Sequence, residues 1–151
     1  MERTLKRQAI VPRLDGIQRD MKKLFTLGQL SFSEFEQETN FALAQFYLRQ
    51  VLEGIFHIGS HILSRFPGSR STEYKEIALQ LGEVGIVEKR FAKTSLKEMA
   101  GYRNRLTHFY ADVTQEELFN IINNKLADVE IFLSAIKNLV EHPEKFELTM
   151  E

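Results

Sequence analysis

Arg103 and His108 are separated by four residues, with Asn104 directly after the arginine and Tyr110 two positions beyond the histidine. A guanidinium is permanently charged, and its planar fork can grip two phosphate oxygens. An imidazole titrates near neutrality and can take or give a proton. The pair therefore suits phosphate chemistry, with one group for charge on the oxygens and one for proton transfer. On a helix, Arg103 and Tyr110 lie two turns apart on nearly one face, and Asn104 stacks over His108. Arg103 and His108, five positions apart, diverge by roughly 140° around the axis. Only a long arginine side chain, or a second copy of the helix, would bring both to one phosphate. The spacing points to a site shared between two chains.

The elements that must position this stretch read as helices throughout. Pro12 suits a first helical turn, and Val11, Leu14, Ile17, Met21, Leu24 and Phe25 recur at helical steps before Gly28. Ser33 with Glu36 reads as a capping box opening a long helix over roughly 34–65, stopped by Pro67-Gly68. Its apolar stripe runs from Phe41 to Phe66, and a polar stripe runs Gln45, Arg49, Glu53, His57, His61. Ser71-Thr72-Glu73 opens a third helix broken by Gly82 and Gly85, and Ile86 to Lys93 is an uncertain segment of at most a turn or two. Ser95 with Glu98 caps the helix bearing the central stretch, whose apolar stripe is Met99, Tyr102, Leu106 and Phe109. Thr114 with Glu117 opens one last helix ended by Pro143. There is no strand-like alternation. The expectation is a single all-α domain over 1–151, an antiparallel bundle of four to five main helices, with residues 1–10 and 143–151 as flexible ends.

Composition narrows the field. The 151 residues are 43% hydrophobic, and a formal net charge of −1 gives no bulk pull toward nucleic acid or anionic membrane. Without cysteine there is no disulfide, thiolate nucleophile or thiolate metal site. No apolar run is long enough to span a bilayer, so a cytoplasmic protein is expected. Locally the balance shifts: from Glu88 to Arg105 six basic residues face two acidic ones. Lys93, Lys97 and Arg105 are candidate contacts for a polyanion.

The spacing Arg103-x4-His108-x-Tyr110, with Asn104 after the arginine, resembles the signature of HEPN-domain ribonucleases, and most closely the HepT toxin family. Leu81-Gly82-Glu83-x-Gly85, Met99-Ala100-Gly101-Tyr102 and His61-Ile62-Leu63 resemble the same family in order, over roughly residues 40–125. The resemblance implies a homodimer in which the Arg-His helices of two subunits form one cleft. It implies metal-independent endoribonuclease activity without a cofactor, in the toxin of a prokaryotic toxin–antitoxin pair. It further implies a cognate MntA-like nucleotidyltransferase antitoxin that adds AMP to Tyr110. On this reading Arg103, His108 and Asn104 are the catalytic set.

Plainer readings stand beside these. From the residues alone, Arg103 and His108 also fit surface ion pairing and helix-end capping. Tyr110 also fits packing with its hydroxyl bonded. Glu53, His57 and His61 have a spacing that can ligate zinc, yet a polar stripe facing solvent, a mate or the cleft explains them without metal. The same bundle could also serve as a non-catalytic scaffold that partners a nucleotidyltransferase.

Overall fold

The computed structural model of the protein describes residues 3–68 and 72–151. Two long helices carry the core, α1 (Arg7–Gly28) and α3 (Glu38–Leu63). They pack along each other because α1 offers Ile10, Leu14, Ile17, Met21 and Leu24 at helical steps. The facing stripe of α3 includes Leu48, Val51, Leu52, Ile55 and Ile62, all essentially inaccessible to solvent. Between them, the short helix α2 (Phe32–Phe35) buries Phe35 against the rings of Phe41 and Phe119. The capping box is Ser31 with Glu34, not Ser33 with Glu36. Two Ser-x-x-Glu frames overlap here, and the earlier one wins by turning Phe35 into the core. Helix α3 then starts at Glu38, four residues later than the Ser33–Glu36 frame predicts, with no side-chain cap from Gln37.

Helix α4 (Tyr74–Glu83) follows; Ser71, expected near its start, lies outside the described residues. Gly82 does not break α4 but sits inside it: a Cβ there would fall 2.6 Å from the Ala92 Cβ. The missing side chain lets the next segment press against α4. The break comes at Gly85, whose φ of +83° favours glycine.

Within the segment from Ile86 to Lys93 lies a helical turn, α5 (Lys89–Phe91), followed by a π-helical turn (Ala92–Leu96) that runs directly into α6 (Lys97–His108). Ser95 therefore lies inside a continuous helical path and caps nothing. Its expected partner Glu98 instead meets Lys125 at 3.2 Å. The last helix is two: α7 (Gln115–Asn124), capped by Thr114, and α8 (Leu126–Glu141), with the break at Lys125. Asn123 and Asn124 favour helix ends over interiors, and the Lys125–Glu98 contact holds the junction against α6.

The ends, expected to be loose, are tied to one another. Strand β1 (Thr4–Leu5) pairs in parallel with β2 (Thr149–Met150). Leu5 of β1 and Leu148, just before β2, are buried. Two residues per strand are too few for an alternation to show in the sequence. The end of α3 holds this pair in place: Arg65 Nε donates to the Thr4 carbonyl at 2.8 Å, and His61 Nε2 accepts the Lys6 N–H at 3.1 Å. Among the described residues no helix is long and apolar enough to cross a membrane.

Candidate active site

Helix α6 buries Met99, Ala100 and Leu106, and packs against α3 and α4. That packing carries Arg103 into the angle between the three helices. Its guanidinium carbon lies 4.1 Å from the centroid of the Tyr74 ring. Tyr74 in turn stacks on Phe56 at 4.9 Å, so Phe56, Tyr74 and Arg103 form one column. Nη2 lies 3.8 Å from Glu53 Oε1, an ion-pair contact, and Nη1 points to Asn104 Oδ1 at 3.4 Å. The side chains of Arg103 and Glu53 are only 20% and 28% exposed. Arg103 Nε is buried without a hydrogen-bond partner among the described residues. The arginine is thus oriented from three sides, with donor capacity left over.

His108 is the last residue of α6 and is exposed. The Phe109 N–H donates to the Arg105 carbonyl at 2.8 Å, and the chain then leaves the helix at φ −134°, ψ 38°. No hydrogen bond or ion pair joins Arg103 to His108, in keeping with the angle between them on one helix. Among the described residues His108 has no hydrogen-bond or ion-pair partner; its nearest ring is Phe109, edge-on at 6.5 Å. Phe109 was expected in the core stripe but is 59% exposed, because the turn off the helix rotates it out of phase. Tyr110 begins a 3-10 turn (Tyr110–Asp112) and is 63% exposed. Gln45 Nε2 reaches its carbonyl oxygen at 3.5 Å.

The other basic candidates divide. Arg105 grips the Glu117 carboxylate with both amino groups, one at 2.9 Å, and also donates to the Asp112 carbonyl at 3.2 Å. The hydrogen bond to Glu117 raises its already high pKa. Lys93 and Lys97 are exposed, and Lys97 borders a shallow hollow with Lys75, Thr94 and Tyr102. A hollow of about 940 Å³ lies between α1 and the α7–α8 junction and contains none of these candidates.

Two members of the polar stripe of α3, His57 and His61, make contacts away from Arg103 and His108. His57 Nδ1 meets Arg13 Nη1 at 2.9 Å, and His61 holds Lys6. Burial lowers the pKa of both rings, and nearby arginines push the same way. Among the described residues no group of three or more His, Cys, Asp or Glu is arranged to hold a metal ion.

Residues 17–136 match the model of the HepT-like ribonuclease family. The chain belongs to that family. The HepT-like region spans α3 to α7 whole, with most of α1 and α8, and so contains every residue of the site above. Over 106 residues, 70% of this chain and 69% of the relative, it is 27% identical to the tRNA nuclease HepT of Aphanizomenon flos-aquae (strain 2012/KM1/D3). The fold is that of a tri-AMPylated HEPN toxin from Shewanella oneidensis, solved in complex with an MNT antitoxin, with a TM-score of 0.76 at 22% identity over 85% of this chain and 96% of that one. A crystal structure of a toxin–antitoxin MntA-HpeT mutant gives 0.75 at 21% identity, over 86% and 98%. The sequence singles out Arg103, Asn104, His108 and Tyr110 as candidates but gives no sign that Tyr74 and Glu53 lie against Arg103, or that Glu117 holds Arg105. Glu53 was visible only as part of a stripe, and no local pattern marks Tyr74, which lies far from the motif in the chain.

Proposed function

We propose that this HepT-like protein is a metal-independent endoribonuclease, the toxin of a toxin–antitoxin pair. The observation that carries the reading is the division of labour on α6: a half-buried arginine oriented by Tyr74, Glu53 and Asn104, and an exposed histidine free of structural partners. In the proposed reaction the ribose 2′-hydroxyl attacks the adjacent phosphorus while His108 moves its proton. The P–O5′ bond breaks, the 5′-oxygen leaves protonated, and a 2′,3′-cyclic phosphate remains. Arg103 stabilises the charge that builds on the non-bridging oxygens. Asn104 supports the arginine through its side-chain oxygen.

One chain holds these two groups on different faces, so the working cleft is assigned to a homodimer, with Arg103 and His108 converging across a two-fold axis. Lys93 and Lys97 supply positive charge along the approach for RNA. Arg105, its charge balanced by Glu117, instead fixes the end of α6 to the start of α7.

Tyr110 is the proposed site of AMP addition by a cognate MntA-like nucleotidyltransferase. Its exposure beside His108 supports this. An attached nucleotide would fill the cleft mouth and repel RNA phosphates. The similarity to a tri-AMPylated toxin held with its antitoxin supports the same reading.

The test is cleavage of total RNA in excess EDTA by the wild-type protein and by His108→Ala, with Tyr110 first confirmed unmodified by mass. Cleavage by wild type alone, leaving 2′,3′-cyclic phosphate ends, is expected. No cleavage by the folded, unmodified protein would favour the scaffold reading.

A further inference from the structure

We propose that Phe109 is a stacking platform for a nucleobase of the RNA, set beside the histidine that works on that nucleotide's sugar; this rests on the ribonuclease reading above. Phe109 is 59% exposed and directly follows His108, so its ring is accessible beside the candidate site. Its backbone is held on both sides: its N–H donates to Arg105, and its carbonyl accepts the Asp112 N–H at 2.9 Å. The ring is therefore presented on a fixed turn. It stands edge-on to the His108 imidazole with centroids 6.5 Å apart, close enough for one nucleotide to span both rings. A nucleotide has the same layout, with the base on one side of the ribose and the 2′-hydroxyl on the other. With the hydroxyl at His108, its base reaches the face of Phe109. Single-stranded RNA is commonly held by such stacking, which tolerates any base because every base has a π-face. The residues flanking Phe109 are His108 and Tyr110, both able to hydrogen-bond, which favours a nucleotide over an apolar protein surface.

The probe is a 2′-O-methyl oligoadenylate, which lacks the attacking hydroxyl, compared by fluorescence anisotropy with an abasic oligomer of equal length. Phe109→Ala is expected to bind the oligoadenylate about 5- to 150-fold more weakly than wild type. Phe109→Trp should bind it at least as well as wild type. Both variants should bind the abasic oligomer like wild type, and their mass in solution should not change. The inference is overturned if Phe109→Ala binds oligoadenylate normally, or loses affinity equally for the abasic oligomer. It is also overturned if that variant drops to a smaller assembly, since the ring would then be a subunit contact. Parallel cleavage assays separate the two ideas. Base-dependent binding through Phe109 in a protein that cuts no RNA would sink the ribonuclease reading alone; RNA cleavage with binding indifferent to Phe109 would sink this one alone.

Discussion

Replacing Glu53 by alanine removes a carboxylate that contacts the Arg103 guanidinium. The pair is separated by 3.8 Å, with both side chains about three-quarters covered. A fully exposed pair would be worth about 0.2–1 kcal/mol, and breaking a fully buried one would cost about 3–5 kcal/mol. With partial exposure and no short hydrogen bond, a net loss of about 1–2 kcal/mol is expected. Thermal unfolding should then fall by roughly 3–6 °C. If the orientation of Arg103 is what the transition state uses, the same energy appears in kcat/KM as a fall of about 5- to 30-fold. Glu53→Gln keeps an acceptor of the same shape and should retain most of the activity, which separates orientation from charge. The assay is single-turnover cleavage of a fluorescent RNA oligomer, run beside a melting curve. Glu53→Ala that cuts RNA at the wild-type rate would refute the claim that Glu53 positions the arginine. A faster variant would do so too, making Glu53 a competitor of the phosphate instead.

Other outcomes follow from the same contacts. Gly82→Ala forces α4 away from Ala92 and should cost about 1–3 kcal/mol, read as a lower urea midpoint with unchanged slope. His57 and His61 have depressed pKa values because burial and arginines favour the neutral ring. Their contribution to stability is complete above the unfolded-state pKa of about 6.5 and is lost as pH falls below it through the folded-state values. Unfolding free energy should therefore drop on acidification below neutrality, and His61→Gln should flatten that dependence; an unchanged slope would rule the ring out as a contributor. Tyr110→Phe should still cleave RNA yet gain no mass on incubation with the cognate nucleotidyltransferase and ATP, and modification elsewhere on the chain would reassign the site.

The helices were legible where burial imposes a period, as along α1 and α3, and where a capping frame had no rival, as at Thr114. Ser31 and Ser33 show the limit: two frames of equal local quality were separated only by where Phe35 could be buried. Ser95 looked like a helix start because a π-helical turn has no signature of its own, and its hydroxyl was not needed where the chain already ran helically. The pairing of Thr4–Leu5 with Thr149–Met150 joins opposite ends of the chain, which no window of sequence can contain. At the site, residue types and spacing pointed to Arg103 and His108 and to their divergence on one helix. The Tyr74 ring beneath the guanidinium and the outward turn of Phe109 are consequences of packing and of where α6 stops.

The claim that one active site is built from two chains is tested most directly by complementation. Arg103→Ala and His108→Ala proteins are each expected to be inactive on RNA. Unfolded together and refolded as a mixture, they form heterodimers in which one subunit supplies the arginine and its mate the histidine. Recovery of EDTA-resistant cleavage in the mixture, absent from either variant refolded alone, is the predicted result. A mixture that stays inactive while heterodimers are present by mass would contradict the shared cleft.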